Sequence, residues 1–384
     1  MIVRTDTLPD EAYVATLAGF DQMGPVRLRQ LLAHHPPDEA FAVLARRQQP
    51  HPIVERLVAG RLGDAWAVAA AAASPGEVWR RCRAAGVAVL VYGSDRFPAV
   101  LLHDPSPPAV LFVRGDLDAL ERRRAAVIGT RNATRGGLET ATALGADLAA
   151  AGVAVVSGLA RGIDGAAHRG ALAATDPTDG EPVAVVGNGP DRAYPRQHAE
   201  LWEAVVRRGV LLSDWPPGVG PDAFRFPMRN RILAALSEVV VVVESRETGG
   251  SLLTVREAEE RSVTVMAVPG SPRSRASAGT NRLLCDGVAP VTCSDDVLVA
   301  LGLDTRRCRP AAFDPRPVPR GHEAQVLARC RRGACTLDEI VTSLGLTVAD
   351  AAMALARLER AGRVVESAGW FEVLEPWSGL PGAP

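Results

Sequence analysis

The chain of 384 residues contains no lysine, so all 43 of its basic residues are arginine. A Walker A phosphate loop and Schiff-base chemistry both need an ammonium and are excluded. A GC-rich coding bias alone would produce this usage, yet the planar guanidinium also suits bidentate phosphate contacts and stacking on bases. Aromatic residues are scarce, 17 in all, and the six cysteines show neither C-x-x-C spacing nor clustered histidines nearby. Zinc and a disulfide scaffold are therefore not expected in a chain of this size. Neither sign of charge dominates: 44 acidic residues leave a formal net charge of −1. Coating of duplex DNA by bulk attraction is therefore not expected, and any nucleic-acid surface must be a local pocket. There is no charge-free apolar run of about eighteen residues or more and no signal peptide, so no membrane span is expected and a cytoplasmic protein is the default. At 47% hydrophobic and 23% charged residues, the chain reads as globular and long enough for two or three domains.

What is present centres on VVSGLARGIDGAAH, Val155 to His168. An apolar run stops at Ser-Gly, a glycine-bearing loop follows, and Asp164 opens an Ala-rich segment as its expected cap. A strand, a tight turn and a helix start of this kind favour an anion through free N–H groups and the helix dipole. Glycine at such a turn also serves packing alone. Four loops of similar character recur in a βα rhythm: Ala126 to Arg131, Val185 to Pro195, Phe224 to Arg231 and Val268 to Asn281. Apolar runs begin near residues 87, 109, 125, 152, 182, 209, 239 and 263, apolar at every position, which means strands covered on both faces. The fold expected is α/β, an extended Rossmann-like, doubly wound, mainly parallel sheet whose strand-end loops converge on one crevice. G-x-G-x-x-G is absent after Gly129, which disfavours ordinary NAD binding, and no cofactor is expected.

Residues 1–86 read as an N-terminal helical domain of the SAM or helix-hairpin-helix type, with Gly24 breaking the chain before Pro25 and Val26, Leu28, Leu31 and Leu32 as a buried stripe. The sheet domain is placed at 87–302. A Pro- and Arg-rich linker follows at 303–320, then a C-terminal winged helix at 321–375 and a tail at 376–384. In the winged helix, Thr336 and Glu339 fit a capping box. This unit carries six arginines against eight acidic residues, and Asp350 falls near the end of the helix that would enter a groove. A role in protein contacts, or weak DNA contact, is expected of it.

Ser157, Asp164 and His168 lie within twelve residues and raise the possibility of a catalytic relay, but no G-x-S-x-G elbow accompanies them. For binding a single strand, cations and flat rings are needed. Five aromatic residues, Tyr194, Trp202, Trp215, Phe224 and Phe226, fall within one short interval, and Arg225, Arg229 and Arg231 follow with no acid among them. Each phenylalanine could equally be a core plug, and Arg229 or Arg231 could pair with Asp164 or Glu244. Trp202 is expected on the buried face of a helix. Asn230 and Asn281 are expected to tie loops together, and Gly158, Gly162 and Gly279 to permit close backbone approach.

From about 88 to 291 the chain resembles the DNA-processing protein A (DprA, or Smf) family. The resemblance rests on GTR, SGLARGID with His168, the Gly187-x-Gly189 to Tyr194-Pro195 loop, FPMRNRI, TGGSLLT, PG and GTN, in order. It implies a homodimer that binds single-stranded DNA without sequence preference and loads the RecA recombinase in natural transformation or recombination, with no catalysis. The single-strand site expected comprises Arg131, Gly158, Arg161, Phe224, Arg225, Phe226, Arg229, Arg231, Gly279 and Asn281. Arg135, Asp214 and Val255 depart from the family's usual Tyr, Glu and Ala. The alternative weighed is a Rossmann-like nucleotide enzyme such as an N-glycoside hydrolase. Its PGGxGT loop is absent, since Pro269-Gly270 and Gly249-Gly250 are separate.

Overall fold

All eight apolar runs become strands of one nine-stranded sheet. The computed structural model describes residues 8–176, 178–303, 316, 318–367 and 369–374. The chain divides into two compact units, one up to Arg309 and one from Pro310.

The first unit starts with α1 (Asp10–Ala18), α2 (Pro25–Leu32), α3 (Pro37–Leu44), α4 (Gly60–Ala72) and α5 (Pro75–Ala84). Three of these begin on proline, where the missing N–H would have had no partner. Then come β1 (Ala88–Val91), α6 (Ala99–Leu102), β2 (Val110–Gly115), β3 (Arg124–Ile128), α7 (Arg135–Ala150), β4 (Ala154–Ser157), α8 (Ile163–Ala171), β5 (Pro182–Val185), α9 (Ala199–Arg208) and β6 (Val210–Ser213). The unit continues with α10 (Arg225–Leu236), β7 (Val239–Val242), α11 (Ser251–Glu259), β8 (Thr264–Ala267), α12 (Ala278–Cys285), β9 (Ala289–Pro290) and α13 (Ser294–Ala300). The two-residue β9 is too short to show as an apolar run.

The sheet order is β1-β2-β6-β5-β4-β3-β7-β8-β9. Pairing is parallel from β6 through to β9, and β2 joins β1 and β6 antiparallel. Side chains alternate between two faces, as strand geometry requires. Leu111, Val156, Val185, Leu212 and Val240 pack with Ile232 and Leu236 of α10 and Val255 of α11. On the other face Ala184, Val186 and Leu211 pack with Trp202 and Val205 of α9. Val110 and Phe112 of β2 share a core with Val14, Leu17, Leu28 and Leu31, so the N-terminal helices are built onto the sheet. Val26, expected in that stripe, is 60% exposed. Residues two apart on a helix face away from each other, so Val26 cannot share a side with Leu28.

From β3 the chain winds outward through β4, β5 and β6; from β7 it winds the opposite way through β8 to β9. Neighbouring strands β3 and β7 therefore form the topological switch point, where the connections at their carboxyl ends part and leave a crevice.

The second unit contains α14 (His322–Cys330), β10 (Cys335–Thr336), α15 (Leu337–Leu344), α16 (Val348–Arg360), β11 (Val364–Ser367) and β12 (Trp370–Val373). Its sheet order is β10-β12-β11, a winged helix with a short extra strand before α15. The capping box forms: the Glu339 N–H donates to Thr336 Oγ1 at 3.3 Å and the Thr336 N–H to Glu339 Oε2 at 3.2 Å. Most of the expected linker and all of the expected tail lie outside the described residues. No single described helix is long and apolar enough to cross a membrane.

Replacing Thr336 by Ala removes the cap and should cost the second unit about 1 kcal/mol. Urea unfolding should show a lower midpoint at unchanged slope; an unmoved midpoint would mean that the box contributes nothing.

Candidate nucleic-acid interface

A cavity of about 590 Å³ opens at the switch point. Gly129, Thr130 and Arg131 after β3 form one wall, and Arg246, Gly249, Gly250 and Ser251 after β7 form another. Glu244 holds these walls together. Its main-chain oxygen accepts from Thr130 N at 2.7 Å, and its carboxylate accepts from Thr134 N at 2.9 Å and Thr134 Oγ1 at 2.5 Å. Glu244 thus serves the start of α7 and is not a partner of Arg229 or Arg231.

The third wall comes from 224–231, which the sequence presents as a loop and the structure as the first turns of α10. Pro227 is the third helical residue, a position where the proline lacks only an N–H that has no acceptor. Once this run is helical, its residues divide by face. Phe226, Arg229, Asn230 and Leu233, at i, i+3, i+4 and i+7, all line the cavity. Asn230 is therefore a wall residue and makes no loop tie among the described residues. Arg231 turns the other way, buried, with Nη2 at 2.8 Å from Asp214 Oδ2 and Nη1 at 2.7 Å from Ser106 O. Arg225 also leaves the cavity. Its guanidinium lies 4.6 Å from the Trp215 ring centre and 5.1 Å from that of Phe224, and it donates to Gly220 O. Phe224 is half exposed and meets Trp215 edge-on, outside the cavity wall.

At the cavity rim the Arg131 guanidinium sits 4.7 Å from the centre of the Phe226 ring. The Tyr194 ring lies 5.6 Å from Phe226 on a tilted plane. A smaller hollow of about 50 Å³ continues past this cluster to Arg161, Gly158 and Pro195. A cation on an aromatic face, with a second ring beside it and open space on two sides, is what stacking of a base next to a phosphate requires.

Arg229 forms the floor. It is 4% exposed, and it donates from Nη1 to Val185 O at 2.6 Å and from Nη2 to Gly158 O at 3.4 Å. Burial pushes its guanidinium down to about 10, with Asp164 opposing, so it stays cationic at neutral pH. A Cβ on Gly158 would collide with that guanidinium, which accounts for the glycine. Burial raises the Asp164 carboxyl above its ordinary range, while Arg229 and the N–H groups of Ala160 and Gly158 draw it back. Asp164 is not the cap of α8. Gly162 holds that position at φ +79°, and Asp164 lies in the first turn facing Arg229.

The suspected relay is not assembled. Ser157 Oγ donates to Val127 O at 2.7 Å, and no hydrogen bond joins Asp164 to His168 among the described residues. His168 is fully buried, and desolvation pushes its ring down to about 3.

Gly279 and Asn281 support the β8 to α12 loop away from the cavity lining. Gly279 N donates to Ser245 O at 2.7 Å, and a Cβ there would meet Arg246 O at 2.5 Å. Asn281 clamps Gly270, donating from Nδ2 to its carbonyl at 2.9 Å and accepting its N–H at 3.1 Å. Trp202 is buried on α9, and its Nε1 donates to Pro190 O at 3.2 Å. Arg246 was missed by the sequence reading. It stands shortly after β7, as Arg131 stands shortly after β3, ahead of TGGS, and that parallel was the available signal.

Residues 88–302 match the family model of DNA recombination-mediator protein A, and residues 310–369 match the DprA winged helix domain. A Mycobacterium tuberculosis relative named for DprA is 40% identical over 287 residues, 72% of this chain and 71% of the relative. DNA processing protein DprA of Bacillus subtilis is 36% identical over 220 residues, 57% and 73%. Among solved structures, DNA processing protein A from Streptococcus pneumoniae matches with a TM-score of 0.63 at 27% identity, covering 76% of this chain and 98% of that one. A Helicobacter pylori DNA processing protein A structure concerned with single-stranded DNA binding matches with a TM-score of 0.50 at 27% identity, over 56% and 95%.

Two outcomes follow from burial in this site. Arg231→Ala strands the buried Asp214 carboxylate and should cost about 3 kcal/mol of stability, read by chemical denaturation; a loss below about 1 kcal/mol would place the pair in solvent. His168 binds no proton in the folded chain until about pH 3, whereas the unfolded chain protonates near 6.5. Its contribution to stability is thus complete above pH 6.5 and is lost as pH falls towards 3. In His168→Gln the slope of unfolding free energy between pH 6 and 4 should drop by up to about 1.4 kcal/mol per pH unit, and an unchanged slope would contradict the neutral buried ring.

Proposed function

Because the chain belongs to the DNA recombination-mediator protein A family, we propose that its switch-point cavity binds single-stranded DNA without sequence preference and that the protein, as a cytoplasmic homodimer, passes the strand to a RecA-type recombinase. The observation that carries this reading is the Arg131–Phe226–Tyr194 cluster at the mouth of the cavity. Bases stack on any flat ring, and guanidinium groups meet phosphates regardless of sequence. Arg161 and Arg246 add exposed cations on either side. Arg229 and Gly158 act below them by fixing the floor, and Arg225, Arg231, Phe224, Gly279 and Asn281 support the surrounding elements. The role is binding, with no chemistry asked of Ser157, Asp164 or His168. In the second unit Asp350 is engaged in the cap of α16, where the Thr347 hydroxyl donates to it at 2.6 Å, and such an acidic helix start suits contact with a protein better than a DNA groove.

Arg131→Ala should weaken binding to an oligothymidylate by about 1 to 3 kcal/mol and flatten its salt dependence, as loss of a phosphate contact does. Phe226→Ala should weaken it by a similar amount, about 1 to 3 kcal/mol, with the salt slope unchanged, as loss of stacking does. Fluorescence anisotropy across a salt series separates the two, and full affinity in both folded variants would remove the cavity from consideration.

A further inference from the structure

The parallel half of the sheet places five strand-end loops side by side in the order β5, β4, β3, β7, β8. Each of them carries exposed arginine: Arg192 and Arg196 after β5, Arg161 after β4, Arg131 after β3, Arg246 after β7, and Arg273 and Arg275 after β8. None of these has an acidic partner among the described residues. With neighbouring strands about 4.8 Å apart, the row is about 19 Å long and runs across the strands. That length exceeds the Arg131–Phe226 cluster and matches several phosphates, which are about 3.4 Å apart in a stacked strand.

The loop after β8 is the far end of the row, and it is held firmly. Asn281 bridges both polar groups of Gly270, and Gly279 N donates to Ser245 O in the loop that bears Arg246. Ser274 N donates to Ser271 O at 2.9 Å and Ser277 N to Ser274 O at 3.1 Å, so successive turns brace the segment on which Arg273 and Arg275 stand. From Val268 to Asn281 there is no acidic residue. Two unpaired cations on a braced, acid-free loop, docked against a wall of the cavity, are placed for a polyanion that leaves the cavity along the sheet edge.

We propose that Arg273 and Arg275 form a second backbone subsite for single-stranded DNA, extending the footprint from the cavity across β7 to β8. This rests on the reading of the cavity as a single-strand site. A strand short enough to fill only the cavity would not reach it; a longer one would lie across it.

The test uses the full chain with fluorescent oligothymidylates of about 4 and about 20 nucleotides, titrated by anisotropy over a salt series. In Arg273→Ala/Arg275→Ala the slope of log affinity against log salt for the longer oligomer should fall by about 1.4, the single-strand value for two phosphates. The short oligomer should bind as it does to the parent protein. Arg273→Glu/Arg275→Glu should deepen the loss for the long oligomer only, and an unchanged melting temperature confirms the fold in both variants. An unchanged slope with the long oligomer, or an equal loss with both, overturns the subsite while leaving the cavity reading intact. Failure of the parent protein to bind either oligomer removes both.

Discussion

The Arg229 guanidinium is the contact on which the architecture of the strand ends depends. It comes from α10 and reaches the last residue of β5 at Val185, the loop after β4 at Gly158, and the field of Asp164 in the first turn of α8. The β4–α8 segment and the end of β5 thus meet α10 on one planar cation. An uncompensated buried charge is costly, so Asp164 and the two carbonyls are needed as much as the arginine is. Gly158 lacks a side chain because the guanidinium occupies its place. Remove the cation, and Asp164 is left buried with two N–H donors and only the weaker field of Arg131 at the rim. The rim residues that face solvent rest on this arrangement.

Charge is distributed along the sheet in a way that the net value of −1 conceals. Near the amino ends of the strands, arginine is neutralised: Arg122 by Glu181, and Arg123 and Arg124 by Glu238. At the side, Arg114 pairs with Glu203, and Arg261 is buried with Asp104 and Glu257. At the carboxyl ends, the exposed arginines of five successive loops have no such partner among the described residues. A chain neutral in bulk can therefore present one positive edge, and a local field of this kind concentrates a polyanion where a uniformly basic surface would bind it anywhere.

Strands and their order of use were legible because burial on both faces leaves an unbroken apolar run, and a doubly wound sheet brings the ends of such runs together. Phe226 could equally have been a core plug, whereas Arg131 and Arg161 could be placed at the crevice on that basis. The arginine-rich stretch 224–231 could not. Reading it as a loop put every cation in one place; the helical period sends Arg229 to the cavity, Arg231 to Asp214 and Arg225 to Trp215. A proline in the third position of a helix looks the same in sequence as a proline in a turn. Asp164 was misread for a related reason, since the cap belongs to Gly162, whose left-handed backbone has no side-chain signature. Arg246 was visible in principle, since it leaves β7 just ahead of Gly249-Gly250 as Arg131 leaves β3.

The ladder between β3 and β7 fixes how the cavity can respond to what enters it. Four consecutive residue pairs, from Ala125 with Val239 to Ile128 with Val242, join the two strands whose ends carry opposite walls. The strand ends from which those two walls spring cannot separate without breaking main-chain hydrogen bonds buried in the core. Adjustment is left to the loops and long side chains beyond the ladder, which can move without cost to the sheet. A ladder of this kind holds the base of the cavity at one spacing and leaves its fringe adjustable.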